Sequence, residues 1–295
     1  MIRILSLLLL PWLAACATMA DAPRAAFASD RIGVTVVGEG PDVVLIPGLS
    51  SSPAAWQSSV AAVPGYRYHL VHVSGFAGRP AGANASGPVV APVAEEIARY
   101  IAERGLRKPA IVGHSLGGAW GMMVAARHPE LVSKLMVVDM MPFMGAMFAG
   151  PGATPENVRP MAEQFRQGIA ASGGPQRQAM AEQTIASMVR TESLRPVAVR
   201  DSMTSEPGTS GQAMYDLITT DLRPELRNIH VPMTVLWARA PQAPVSAEQM
   251  AEFYRLSYAN VPQARIVQVP NSYHFIMWDE PAFFQRELRS FLTGR

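Results

Sequence analysis

Apolar and polar positions alternate in blocks along this chain. Short hydrophobic runs appear at Ile32–Val37, Asp42–Ile46, Tyr68–Val73, Ala110–Gly113, Lys134–Val138, Met233–Trp237 and Arg265–Val269. Each has the length of a strand and is too short for a buried helix. Helical patterns separate most neighbouring runs. Val93, Ile97 and Ile101, for example, recur every four residues, with Glu95, Glu96, Arg99 and Glu103 on other faces. Strands that alternate with helices predict a mostly parallel sheet covered on both sides, because parallel neighbours require a crossover that packs against the sheet.

The alternation breaks once. Residues 141–222 hold no convincing strand, but offer amphipathic helical segments at Val158-Met161-Phe165-Ile169, Ala181-Ile185-Met188-Val189 and Met214-Leu217-Ile218-Leu222. This stretch reads as a helical cap inserted into an α/β core made of residues 31–140 and 223–295. Nine of the 17 methionines lie between Met140 and Met214, and that flexible, polarisable side chain suits an adaptable apolar pocket wall as well as plain helix packing.

Composition narrows the class. A chain of 295 residues that is 49% hydrophobic and 16% charged is a folded globular protein with a sizeable core. Its formal charge is +2, and its 23 arginines and 2 lysines are scattered, so nothing resembles a nucleic-acid groove. The N-terminus adds an address. Arg3, the apolar run 4–10 and the small residues that follow form a secretory signal over residues 1–15, too short to span a bilayer. Leu13-Ala14-Ala15-Cys16 resembles the lipobox of bacterial lipoproteins, which implies cleavage before Cys16, its lipidation, and delivery to the outer membrane since residue 17 is Ala. The alternative is an ordinary signal whose cysteine is incidental, leaving a periplasmic or secreted protein. Cys16 is the sole cysteine, so no intrachain disulfide forms. Residues 16–30, small and proline-interrupted, read as a tether.

The chemistry concentrates in Pro109-Ala-Ile-Val-Gly-His-Ser-Leu-Gly-Gly118. A strand runs into Gly113-His114-Ser115-Leu116-Gly117 and a helical pattern follows, which is the strand–turn–helix context of a G-x-S-x-G nucleophile elbow. From about residue 31 onward the chain resembles a capped, esterase-like α/β-hydrolase. Leu45-Ile-Pro-Gly-Leu49 is similar to that family's oxyanion loop, Ser74-Gly-Phe-Ala-Gly78 to its next glycine-rich loop, and Asn271-Ser-Tyr-His-Phe275 to its histidine loop. The resemblance implies an eight-stranded, mostly parallel sheet, and it implies backbone N–H groups of Leu49 and Leu116 as oxyanion donors. Pro47 departs from the histidine common in the family, and Arg79 from a common serine; neither removes a catalytic group.

A serine nucleophile needs a base. Of six histidines, His274 alone follows the last strand at the sheet's carboxyl edge, where a base belongs. His114 reads as packed beside the site. The orienting acid is less obvious, because most relatives carry it after the seventh strand. Here that place is Trp237-Ala-Arg-Ala-Pro-Gln-Ala-Pro244, which has no carboxylate. Asp139, closing Leu135-Met-Val-Val-Asp139, is the preferred candidate, and the order Ser115…Asp139…His274 is the one the fold requires. Glu248, Asp216, Asp221 and Glu206 remain as alternatives, and Asp279 reads as a helix cap before Pro281.

The expected activity is hydrolysis of carboxylic esters, on a small and hydrophobic substrate, with neither metal nor cofactor. Related triads on this fold also serve C–C bond hydrolases, lactonases, amidases, acyltransferases and haloperoxidases, so the fold alone does not choose. A lipoprotein that kept the fold and lost catalysis is the reading from another class, and the vacant acid position is its only support.

Overall fold

The computed structural model describes residues 27–240 and 245–294. The signal, the Cys16 lipidation site and most of the tether lie outside the described residues. Among those described, no helix is long and apolar enough to cross a membrane.

All seven hydrophobic runs are strands: β1 (Ile32–Val37), β2 (Asp42–Ile46), β3 (Arg67–Val73), β4 (Ala110–His114), β5 (Lys134–Val138), β6 (Met233–Ala238) and β7 (Arg265–Val269). They form one sheet in the order β1-β3-β2-β4-β5-β6-β7. Only β1 runs antiparallel, against β3; the other pairings are parallel. The eighth strand implied by resemblance is not found among the described residues. The remaining elements are α1 (Gln57–Ala62), α2 (Val90–Glu103), α3 (Leu116–Arg127), α4 (Gly145–Ala149), α5 (Pro155–Ala170), α6 (Gly174–Met188), α7 (Arg195–Thr204), α8 (Pro207–Thr219), α9 (Ala247–Ser257), α10 (Ile276–Asp279) and α11 (Pro281–Thr293).

Strands β2, β4, β5 and β6 are apolar on both faces, and successive residues point to opposite sides. Val44, Ile46, Ile111, Leu135, Val137 and Val235 therefore join the side chains of α2, α3 and α9. Their neighbours Val43, Leu45, Val112, Met136, Val138 and Leu236 pack instead with Trp56 and with Phe284, Leu288 and Phe291 of α11. Helix α3 is buried from Leu116 to Ala126; a helix apolar all round belongs inside, and this one runs directly away from the end of β4.

Between β5 and β6 the chain is helical throughout, from α4 to α8. These helices have a small core of their own, where Phe143, Ala146, Val158, Ala162 and Ile218 meet. They return to the body of the protein at specific polar contacts, which converge on the carboxyl edge of the sheet.

Candidate active site

The turn between β4 and α3 is sharp. Ser115 has φ 53° and ψ −126°, a left-handed conformation that costs a non-glycine residue of order 1–3 kcal/mol and persists only where its surroundings enforce it. They do so by close approach. A Cβ on Gly113 would lie 2.1 Å from the Gly117 carbonyl oxygen, and one on Gly117 would lie 2.1 Å from the Ile46 oxygen. Only glycine fits at either place. The Ser115 N–H donates to the Val138 carbonyl at 2.8 Å, so the elbow is also tied to the end of β5.

The loop after β2 lies against this elbow. The backbone of Ile46 and Pro47 presses on Gly117, and a Cβ on Gly48 would come within 3.0 Å of Ser115 Cβ. Leu49, the next residue, packs against the core cluster that also holds Leu116 of α3, and the first N–H groups of that helix have no intrahelical acceptor. Ser50 has φ 52° and its hydroxyl is 2.8 Å from that of Ser210 on α8.

His274 comes to the same edge on the loop after β7. Its Nδ1 lies 2.6 Å from Asp139 Oδ2. Asp139 directly follows β5 with φ 53°, and its own N–H donates to the Leu236 carbonyl at 2.7 Å. The other carboxylate oxygen accepts the Ala238 N–H at 2.9 Å and the Tyr254 hydroxyl at 3.2 Å. Burial, and then the Asp139 charge, raise the Tyr254 phenol well above its ordinary pKa, so it stays a neutral donor. Because Asp139 can only accept, the proton of His274 sits on Nδ1 and Nε2 keeps its lone pair. Neither Nε2 nor Ser115 Oγ has a hydrogen-bond partner among the described residues; such bonds are often long before substrate arrives.

His114 is buried under this pair. Its Nε2 donates to the His274 carbonyl oxygen at 3.0 Å, and the two rings lie 4.6 Å apart. Burial first, and then the neighbouring His274, hold its pKa well below the ordinary value, so the ring is neutral. Its Nδ1 has no partner among the described residues.

The sequence profile described as alpha/beta hydrolase fold matches residues 41–281. The chain belongs to the α/β-hydrolase fold family. It is 30% identical to the pimeloyl-[acyl-carrier protein] methyl ester esterase of Vibrio cholerae over 209 residues, covering 69% of this chain and 77% of that protein. Among solved structures it resembles an esterase from Exiguobacterium antarcticum, with a TM-score of 0.73, 23% identity, and coverage of 89% of this chain and 95% of that one. It also resembles the enol-lactonase from Burkholderia xenovorans LB400, with a TM-score of 0.71, 18% identity, and coverage of 89% and 96%. At such identities the structures establish the α/β-hydrolase fold alone.

The alternative carboxylates of this α/β-hydrolase make no hydrogen bond to His274 among the described residues. Glu248 is exposed in the first turn of α9 and accepts from the Ser246 hydroxyl at 2.7 Å. Asp216 accepts the N–H groups of Val89 and Val90 at 2.6 and 3.0 Å, holding the start of α2. Asp221 pairs with Arg223, and Glu206 precedes α8 without a side-chain cap. Asp279 does not cap α11 as expected; Glu280 occupies that position. Its carboxylate instead accepts backbone N–H groups of Arg190, Thr191 and Tyr273 at 3.1, 2.9 and 2.9 Å, stitching the segment after α6 to the histidine loop. Such contacts leave no periodic trace in the sequence.

Proposed function

We propose that this α/β-hydrolase cleaves carboxylic esters through an acyl-enzyme, with Ser115 as nucleophile, His274 as base and Asp139 as the acid that orients it. The observation that carries the reading is the 2.6 Å contact between His274 Nδ1 and Asp139 Oδ2, formed at the sheet edge that displays Ser115. The esterase named among the relatives supports the ester substrate. The non-catalytic alternative loses its ground, because β5 offers an acid where β6 offers none.

The chemistry follows from the atoms. Ser115 Oγ attacks the acyl carbonyl carbon and its proton passes to His274 Nε2. Asp139 accepts from Nδ1–H throughout, fixing the tautomer and stabilising the imidazolium. The carbonyl oxygen becomes an oxyanion beside the Leu49 and Leu116 N–H groups, where the α3 N-terminus also favours negative charge. As the C–O bond breaks, the leaving alcohol takes the proton from Nε2. Water then repeats the sequence on the acyl-enzyme, giving its proton to Nε2 and releasing the carboxylic acid and free Ser115. Helices α4–α8 act as the cap over this site.

Ser115→Ala is expected to bring turnover of p-nitrophenyl esters to background, with the melting temperature near wild type, and to abolish labelling by a fluorophosphonate probe. Retained turnover would sink the mechanism. A lipid on Cys16 would place this chemistry at a membrane surface. On that reading Cys16→Ser moves the protein from the membrane to the soluble fraction of a bacterial host; unchanged membrane retention excludes it.

A further inference from the structure

Two residues of the segment 141–222, Asp201 and Ser210, make side-chain hydrogen bonds to the oxyanion loop. Asp201 of α7 is 5% exposed, and its Oδ2 accepts both the N–H and the hydroxyl of Ser52, the N–H at 2.9 Å. Oδ1 receives Arg200 at 3.3 Å. Ser52 is the hinge between the loop and the short helix after it, because its hydroxyl oxygen in turn accepts the Ala54 N–H at 3.3 Å.

The loop is thus gripped at three points. Its start is pressed on Gly117 by the backbone of Ile46 and Pro47. Its middle is held by the hydroxyl pair Ser50–Ser210, and its end by Asp201. Leu49 lies between the first grip and the second. Ser50, in a left-handed conformation at φ 52°, would relax if its surroundings let it, and relaxation there reorients the peptide next to Leu49.

We propose that Asp201 is a positioning residue, a buried carboxylate on α7 that holds the Leu49 N–H where the oxyanion forms. This role rests on the hydrolase reading above. A donor aimed at the developing charge acts only in the transition state, so its displacement lowers kcat and spares KM. A full oxyanion donor contributes roughly 10²–10³ in rate, and a displaced one loses part of that.

Asp201→Ala is expected to lower kcat on a p-nitrophenyl ester by about tenfold to a hundredfold with KM within about twofold. It should weaken a boronic acid that forms a tetrahedral adduct on Ser115 by a similar factor, and leave a neutral ground-state competitor unchanged. Asp201→Asn retains an acceptor oxygen and should recover most of the loss. Amide exchange in residues 47–52 should quicken in Asp201→Ala. Should that variant fail to fold, Ser52→Ala, which keeps the N–H donor and removes the hydroxyl, should show the same split at smaller amplitude. A lower melting temperature and raised KM with kcat and boronate affinity intact would overturn the proposal, leaving Asp201 a mere cap fastener. Faster exchange with unchanged kcat would overturn it too. A wild type inactive on esters overturns the hydrolase reading, and the positioning role with it, whereas the exchange measurement still reports whether Asp201 clasps the loop.

Discussion

Two histidine–aspartate pairs sit at opposite ends of the same sheet, with nearly the same contact. His274 Nδ1 meets Asp139 at 2.6 Å, and His69 Nε2 meets Asp42 at 2.8 Å. The difference is in the other nitrogen. His69 Nδ1 is taken by the Tyr100 hydroxyl at 2.7 Å, and the ring is buried on β3. Asp42 also holds Arg67 at 2.6 Å. That pair is closed: both ring nitrogens of His69 are taken, and it fastens the start of β2 to β3 and α2. His274 has one nitrogen engaged and one left over, at the sheet edge where Ser115 is held in a strained turn. A base needs a free lone pair more than it needs an aspartate.

The sharpest way to break this comparison is to disarm each aspartate in turn. Asp139→Asn should lower kcat by about 10⁴, the scale seen when a triad acid no longer holds the productive tautomer, while Glu248→Gln stays at the wild-type rate. Wild-type turnover in Asp139→Asn together with a dead Glu248→Gln would move the acid to α9. Asp42→Asn should do the reverse, leaving kcat and KM unchanged. A part-buried charged hydrogen-bond network loses about 1–3 kcal/mol when one partner is weakened, or a fall of about 5 °C in melting temperature for a domain of this size.

The same melts, repeated at pH 7.5 and pH 5, sharpen the contrast further. His69, His72 and His114 all have pKa values lowered chiefly by burial. Below their ordinary pKa near 6.5 the unfolded chain binds protons that the folded one refuses. Stability is therefore full above that value and is lost as pH falls below it, by up to about 1.4 kcal/mol per pH unit for each group. The wild type should melt lower at pH 5. Asp42→Asn should widen that gap, because Asp42 is the partner that raises the His69 pKa; an unchanged gap would mean that the pair does not govern His69.

The central strands were legible because parallel strands buried on both faces are written as uninterrupted apolar runs. The eighth strand came from resemblance and has no such run behind it. The elbow was legible because its backbone geometry tolerates only glycine at Gly113 and Gly117, and Asp139 emerged because no other acid stands at the end of a strand. Tyr254, the Ala238 N–H and the Asp201–Ser52 clasp were not legible. Each joins residues that the chain separates by about a hundred positions or more, through a hydroxyl, a main-chain group or a buried carboxylate whose residue type says nothing of its partner. Asp279 shows the same limit from the other side: the local pattern before Pro281 offered a helix cap, and tertiary donors claimed the carboxylate first.

An acid on β5 also changes what the chain can become. What β6 contributes to the pair is main chain, the Ala238 N–H and the Leu236 carbonyl. On the proposed triad, the connection from residue 239 to the start of α9 carries no catalytic side chain. On that triad, a protein engineer looking for a place to graft a peptide without touching a catalytic group would begin there.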